Sequence, residues 1–168
     1  MQKQSKVALV MGSDSDFEAL KPCIKRLKFF GIEPVVRVIS AHRTPDEAEK
    51  FAKNAEAMGI EVIIAAAGKA AHLGGVLAAS ANLPVIGIPM KSSTLDGLDS
   101  LLSTVQMPKG IPVATVAING ADNAAILAAQ MLAIKYEDIK SRLAQFKRSM
   151  ADEVMEKNKK IIQEAQKI

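Results

Sequence analysis

The sequence has few of the residues that build disulfides, metal sites and base-stacking surfaces. Its 168 residues include one cysteine, two histidines, five phenylalanines, one tyrosine and no tryptophan. Cys23 alone can form neither an internal disulfide nor a zinc site, which excludes a disulfide scaffold and a cysteine-based metal fold. His42 and His72 are far apart in sequence and form no His-x-x-x-His pair, so no metal is expected. The scarcity of aromatics disfavours nucleic-acid binding and flavin stacking.

The sequence also lacks long apolar runs. No run reaches the roughly 18 apolar residues that cross a bilayer, and residues 1–6 lack the apolar core of a secretion signal. We therefore expect a cytoplasmic protein without a membrane partner. The net charge is +4, but the excess of Lys and Arg is concentrated in a helical tail that runs from Lys135 to the end of the sequence. This distribution favours a solvated helix over a nucleic-acid surface.

The apolar residues, 49% of the chain, are arranged in short runs that do not alternate with polar ones. Such runs indicate strands buried on both faces, as in a parallel sheet. The predicted strands are Val7 to Met11, Val35 to Ile39, Val62 to Ala66, Val85 to Ile88 and Val113 to Ile118. The predicted helices between and after them are Asp16 to Phe30, Pro45 to Met58, Leu73 to Ser80, Leu95 to Val105 and Ala121 to Ile134. Five βα units predict an α/β fold, a doubly wound, flavodoxin-like three-layer sandwich with a central parallel sheet.

A long helical pattern follows Tyr136. Apolar residues recur along it at helical spacing, at Ile139, Leu143, Phe146, Met150 and Val154. Such a stripe needs a surface to cover it. We expect residues 1–134 to form one parallel α/β domain, and residues 135–168 to form a C-terminal helical extension. This extension packs either on its own domain or on a neighbouring subunit.

Polar residues gather in three loops that follow predicted strands. Ligands of open parallel sheets bind beyond the carboxyl ends of the strands, so these loops are the predicted site. The loops are Gly12 to Asp16, Ser40 to Pro45, and Ala66 to His72, and they contain both histidines of the chain.

The first loop suits a phosphate group. Its glycine and serines precede a helix, whose free N–H groups and dipole attract anions. The pattern is neither G-x-G-x-x-G nor a P-loop. A structural alternative is a capping box made by Ser15 and Glu18. Asp16 would repel a phosphate and is better suited to accepting hydrogen bonds from sugar hydroxyls.

The second and third loops add acid–base and cationic groups. Thr44, Pro45 and Glu47 predict a helix that starts at Pro45 with Thr44 as its N-cap. His42 and Arg43 then lie in the turn before it, and offer a titratable imidazole and a planar cation. The alternative for His42 and Arg43 is that they are ordinary surface or packing residues that contact no ligand. The third loop is rich in glycine and alanine, so its backbone can approach a flat ligand closely.

These loops together resemble the PurE-type enzymes of de novo purine synthesis. The resemblance lies in Gly12-Ser13-Asp14-Ser15-Asp16, Ser40-Ala41-His42-Arg43-Thr44-Pro45 and Ala67-Gly68-Lys69-Ala70-Ala71-His72-Leu73. It continues in order through Gly87-Ile88-Pro89, Leu95 to Leu101, Val105 to Thr115 and Asn123 to Ala128. Several motifs in a constant order over about residues 6 to 134 are far more specific than any one of them.

The resemblance implies an isomerase that converts 5-(carboxyamino)imidazole ribonucleotide to 4-carboxy-5-aminoimidazole ribonucleotide. It implies no cofactor, a small-molecule ribonucleotide as the partner, and a homo-octamer with its sites near subunit contacts. By position, His42 is then the proton shuttle. The implied substrate-binding residues are Ser13, Ser40 and Arg43 for the phosphate, Asp16 for the ribose, and Gly68, Ala70 and His72 around the imidazole and carbon dioxide.

Two alternatives remain open. One branch of the family carboxylates aminoimidazole ribonucleotide directly with carbon dioxide. That branch usually has Lys after the first histidine and lacks the second histidine. Arg43 and His72 therefore resemble the mutase branch, whereas Lys69 and Gly74 depart from the usual pattern. A non-catalytic sugar-phosphate or nucleotide binding module would use the phosphate loop and Arg43 but would have no need for His42.

Overall fold

The computed structural model describes residues 5–168, so most of the N-terminal segment used in the secretion-signal prediction lies outside it. The described part contains five strands and six α-helices. In chain order these are β1 (Lys6–Met11), α1 (Phe17–Phe29), β2 (Glu33–Val38), α2 (Pro45–Asn54), β3 (Ile60–Gly68), α3 (Leu73–Ser80), β4 (Val85–Met90), α4 (Leu98–Val105), β5 (Ala114–Thr115), α5 (Ala121–Leu132) and α6 (Glu137–Ala165).

The five strands form one parallel sheet in the order β2-β1-β3-β4-β5. After β1 the chain adds β2 on one side, and then crosses over to add β3, β4 and β5 on the other. This is the flavodoxin-like order, and its reversal lies between β1 and β3. The predicted doubly wound α/β fold is confirmed.

Two apolar layers cover the sheet, and β1 contributes to both. Val7, Leu9 and Met11 face the layer formed with α1, α5 and the start of α6. Ala8 and Val10 face the layer formed with α2 and α3. Because successive side chains of a strand point to opposite faces, a strand covered on both sides must be apolar throughout. This explains the runs that carried the sequence prediction.

The predicted fifth strand is much shorter in the structure. Regular pairing is limited to Ala114–Thr115. Beyond it, Val116 N donates to Gly87 O at 3.1 Å, and Asn119 N donates to Pro89 O at 2.9 Å. Between these two hydrogen bonds the chain advances three residues on this segment but only two on β4. The ladder therefore loses its register, as at a β-bulge.

Two predicted helices are shorter than expected. The segment before α4 is a 3₁₀ turn, Leu95–Gly97, in which all three residues have positive φ. The value is 53° at Leu95 and at Asp96, and 96° at Gly97. Regular helix therefore begins only at Leu98. Helix α2 ends at Asn54, and the chain turns before Gly59, which has a φ of 80°.

The C-terminal helix α6 packs on its own subunit only along its first part. Ile139 and Leu143 are buried, and Phe146 is partly buried against the α1 side of the core. Met150 and Val154 are exposed, at 43% and 62%. Within residues 5–168, no helix is both long and apolar enough to cross a membrane.

Candidate active site

A cavity of about 520 Å³ opens at the carboxyl ends of β1 to β4. It lies at the reversal of strand order, where doubly wound sheets bind ligands. The structure brings all eight predicted site residues to its wall: Ser13, Asp16, Ser40, His42, Arg43, Gly68, Ala70 and His72. The three loops meet here because parallel strands end at the same edge of the sheet.

The loop after β1 is held by backbone and serine hydrogen bonds. Gly12 N donates to Ala66 O of β3 at 3.1 Å. Ser13 Oγ accepts from Ser15 N at 3.3 Å, and thereby caps a 3₁₀ turn over Asp14–Asp16. The predicted capping box of Ser15 and Glu18 is therefore wrong, because the extra turn places Ser15 inside the first helical turn.

Asp16 is the carboxylate on this wall. It is only partly exposed, and burial raises its pKa above the ordinary value of 3.8. Removal of water from a carboxylate disfavours its charged form. A ligand that donates hydroxyl hydrogens to Asp16 would replace the lost hydration, which is the contact a ribose offers.

Arg43 joins the loops after β1 and β2. Its Nη2 donates to Gly12 O at 3.2 Å, and its Nε donates to Ser40 Oγ at 3.4 Å. A guanidinium has five N–H donors, so these bonds orient the group and leave donors for an anion. Ser40 Oγ also accepts from Arg43 N at 3.2 Å.

The predicted start of the helix after this loop is confirmed. The predicted capping bond from the Thr44 side chain is not formed. Helix α2 starts at Pro45 with Thr44 at the N-cap position, and Thr44 makes no side-chain capping bond. Its hydroxyl instead accepts from Ser40 N and donates to Ser40 O, both at 3.0 Å. The hydroxyl therefore closes the turn that carries His42 and Arg43.

The two histidines of the chain contact each other in the cavity. His42 Nε2 and His72 Nδ1 are 2.8 Å apart, and the ring centroids are 4.9 Å apart at an interplanar angle of 76°. His42 comes from the loop after β2 and His72 from the residue before α3. The pairing of β1 with both β2 and β3 brings these loops together.

The loop after β3 has a strained residue at the cavity wall. Lys69 has a φ of 56°, in a region that favours glycine. The neighbouring Gly68 and Ala70 line the cavity, and Lys69 lines it as well. The sequence left Lys69 open between a ligand contact and a solvated side chain; the structure places it on the wall and exposed.

Lys91 and Ser92, in the loop after β4, also line the cavity, and the motifs in the sequence did not single them out. They follow the carboxyl end of a predicted strand, so the same rule that found the other loops would have found them. Ser92 Oγ lies 3.0 Å from Asp99 Oδ1, and Lys91 Nζ lies 3.2 Å from Asp96 Oδ1. Both bonds connect this wall to the start of α4.

The charge of the cavity favours an anionic ligand. Among the described residues that line it, three side chains carry a positive charge, Arg43, Lys69 and Lys91, against the single carboxylate of Asp16. No three His, Cys, Asp or Glu side chains converge on a metal position within residues 5–168. Fold and cavity together define a doubly wound α/β protein with a cavity of small-molecule size, a lining that is positively charged on balance, and two imidazoles in contact.

The chain belongs to the AIR carboxylase family, whose sequence profile matches residues 6–153. AIR stands for aminoimidazole ribonucleotide. The match covers all four loops of the cavity and the packed part of α6. It confirms the resemblance that the loop motifs carried.

Individual relatives extend this match over nearly the whole chain. The N5-carboxyaminoimidazole ribonucleotide mutase of Thermotoga maritima is 55% identical over 158 residues, 94% of this chain and 92% of that protein. The chloroplastic phosphoribosylaminoimidazole carboxylase of Vigna aconitifolia is 46% identical, and the match covers 92% of this chain but 28% of that longer protein. The crystal structure of Treponema denticola PurE superposes with a TM-score of 0.86 at 30% identity, covering 94% of this chain and 98% of that one.

Proposed function

We propose that this protein is an N5-carboxyaminoimidazole ribonucleotide mutase, which moves a carboxylate from nitrogen to carbon in purine biosynthesis. The observation that carries the proposal is the 55% identity, over almost the full length of both chains, to a protein named as that mutase. The related carboxylase is a much longer protein, of which this chain matches 28%. The cavity volume also lies within the range of about 300–1,000 Å³ that is usual for small-molecule sites.

The cavity offers a group for each part of the substrate. Ser13, Ser40 and Arg43 bind the phosphate, because hydroxyl donors and a guanidinium fork match its oxygens. Asp16 accepts hydrogen bonds from the ribose hydroxyls. The backbone of Gly68 and Ala70 encloses the imidazole and the migrating carbon dioxide.

The reaction needs one proton given and one taken. The carbamate C–N bond breaks, carbon dioxide is released within the cavity, and the exocyclic nitrogen gains a proton. The ring carbon then forms a bond to carbon dioxide and loses its own proton, so no proton is gained or lost overall. His42 gives the first and takes the second, which returns it to its starting state. Confinement of carbon dioxide beside the ring carbon favours recapture over escape. No cofactor takes part in these steps.

The proposal extends to the organisation of the protein. Residues 1–134 form the catalytic domain, and residues 135–168 form an extension that packs first on this domain and then on a neighbouring subunit. The exposed apolar residues of α6 support association between subunits, because they have no cover within residues 5–168 of one chain; the number of eight subunits comes from the family resemblance. A small-molecule metabolic reaction of this kind fits the cytoplasm, with no nucleic-acid or membrane partner.

A labelling assay tests the activity. Purified protein, without metal or ATP, is given substrate with ¹³C in its carbamate and an excess of unlabelled bicarbonate. A mutase yields product that keeps the label. Aminoimidazole ribonucleotide with bicarbonate is assayed in parallel; faster conversion of this pair, or loss of the label, identifies a direct carboxylase. Binding without conversion of either identifies a non-catalytic module.

Two variants separate proton transfer from binding. We expect His42→Asn to lower kcat by about 10²-fold or more with a similar KM, since proton transfer is worth about 10²–10⁴-fold. We expect Arg43→Ala to raise KM by about 10–100-fold, the loss of one or two charge-assisted hydrogen bonds. Arg43→Lys, which keeps the charge but not the fork, should lie between. Wild-type turnover in His42→Asn would contradict the assigned role.

A further inference from the structure

Three cationic side chains line the cavity, and two of them are bound to other groups of the protein. The Arg43 guanidinium donates to one acceptor in the loop after β1 and to another in the loop after β2. Lys91 Nζ lies 3.2 Å from Asp96 Oδ1, in the turn before α4. Among the residues that the structure describes, the Lys69 ammonium has no ion-pair or hydrogen-bond partner. Its charge is therefore available to a ligand.

The backbone at Lys69 has a conformation that favours glycine. Its φ of 56° lies in the left-handed region, which glycine adopts without a steric cost and other residues adopt rarely. Strain of this kind concentrates at ligand sites, where a particular side chain is needed in spite of it. Lys69 lies between Gly68 and Ala70, and all three residues line the cavity. The chain thus places a cation where the fold alone favours glycine.

The proposed substrate carries two anionic groups, and each needs its own partner. One is the phosphate, which is assigned above to the loops after β1 and β2. The other is the carboxylate, which is attached to the exocyclic nitrogen in the substrate and to the ring carbon in the product. The migrating group is assigned to the loop of Gly68 and Ala70. Lys69 is the cation of that loop.

We propose that Lys69 binds the carboxylate of the ligand, and that it makes the cavity select carboxylated over non-carboxylated aminoimidazole ribonucleotides. This role rests on the proposed function, because its ligands are the substrate and the product of that reaction. An ammonium donates charge-assisted hydrogen bonds to a carboxylate. Aminoimidazole ribonucleotide has the same ribose phosphate but no carboxylate, so it gains nothing from this contact. The selection favours the mutase reaction over direct carboxylation.

The contact also affects the separate steps of the reaction. Release of carbon dioxide removes the negative charge that Lys69 binds, and recapture restores it. The ammonium therefore stabilises bound substrate and bound product more than the neutral carbon dioxide between them. An interaction that is weaker in the transition state than in the ground state lowers KM without raising kcat. Lys69 is thus a specificity-determining residue, and it transfers no proton.

Calorimetry with two ligands that differ only in the carboxylate tests this role. The ligands are 4-carboxy-5-aminoimidazole ribonucleotide and aminoimidazole ribonucleotide. We expect Lys69→Gln to weaken binding of the first by about 10-fold, the loss of one charge-assisted hydrogen bond, and binding of the second by less than about twofold. Lys69→Arg keeps the charge and should retain most of the selectivity. Equal weakening of both ligands by Lys69→Gln, or of neither, would overturn the proposal.

The other lysine of the cavity provides the matched control. Lys91→Gln removes a cation that is paired with Asp96. We expect the ratio of the two affinities to stay within about twofold of the wild-type ratio, because both ligands lose the same long-range attraction. Loss of the selectivity in Lys91→Gln, with its retention in Lys69→Gln, would assign the carboxylate to Lys91 and overturn the proposal.

Steady-state kinetics give a second measurement. For Lys69→Gln we expect KM to rise about 10-fold and kcat to be no lower than that of wild type; a lower kcat at unchanged KM would contradict the role. Lys69→Gly removes the charge and relieves the positive φ, so it replaces Lys69→Gln if that variant fails to fold. A wild type that shows Lys69-dependent selectivity but converts neither ligand would overturn the proposed function alone. A wild type that binds neither ligand would overturn both.

Discussion

Asp16 shows at the scale of one residue how the site opposes the stability of the fold. Burial raises the pKa of this carboxyl above 3.8, so the native state holds its proton more tightly than the unfolded state. Between 3.8 and the raised native pKa, stability therefore falls as pH rises, and the penalty is fully present at neutral pH. We expect Asp16→Asn to unfold at higher urea concentration than wild type at pH 7, with the difference shrinking as pH falls toward 3.8.

Asp14 offers a matched control in the same turn. Its carboxyl is exposed, so Asp14→Asn should change stability by less than about 0.5 kcal/mol. We expect Asp16→Asn also to bind substrate less tightly, since Asn accepts fewer hydrogen bonds. A stability difference that is independent of pH would contradict burial of the charge as its cause.

The elements pack so closely at one point that only glycine fits. A Cβ added at Gly87 of β4 would lie 2.3 Å from Thr104 Cγ2 of α4 and 2.9 Å from Val113 Cγ1. Because both neighbours lie in packed segments, overpacking should displace α4 from the sheet. We expect Gly87→Ala to lower the free energy of unfolding by about 1–3 kcal/mol, measured by urea denaturation.

Gly74 of α3 provides the contrasting substitution. A Cβ there would meet Val113 Cγ1 at 3.5 Å and Ala65 Cβ at 3.8 Å, which are ordinary contacts. Since alanine favours helix over glycine, Gly74→Ala should be neutral or stabilising by up to about 1 kcal/mol. Equal effects of the two variants would show that packing against α4 does not decide the result.

The whole molecule leaves part of its longest helix uncovered. Beyond Phe146, α6 exposes apolar side chains, with Val154 at 62% and Ile161 at 63%. The proposed homo-octamer predicts a light-scattering mass of about eight times the 17.9 kDa subunit, and association would bury these side chains. The double substitution Val154→Glu with Ile161→Glu should lower the mass while the circular dichroism of the subunit is retained.

The conservative variant at the same positions controls for sequence change alone. Val154→Leu with Ile161→Leu keeps both side chains apolar and should leave the measured mass unchanged. A monomer of the wild-type protein at micromolar concentration would contradict the octamer. An octamer that survives both Glu substitutions would place the contacts elsewhere on the subunit.

Much of the fold was predictable because its signals are local. Strands covered on both faces must be apolar at every position, and Val7 to Met11 is such a run. A proline after threonine indicates a helix start, and α2 does begin at Pro45. The positive φ of 53° at Leu95 has no comparable signal, because leucine rarely adopts that conformation. The Asp96-Gly97 pair is a turn signal, so the sequence did carry an indication that α4 starts late.

The site, like the fold, could be predicted from the sequence only in part. Residue types and their place after strands sufficed to select Ser13, Asp16, Arg43 and the two histidines, because every parallel strand directs its carboxyl end to the same edge. The sequence by itself therefore determined which groups reach that edge. Only the tertiary structure decided which of them touch, because contacts between distant loops depend on strand order and register. The placement of β1 between β2 and β3 joins Arg43 to Gly12 and His42 to His72, and no local pattern encodes those distances.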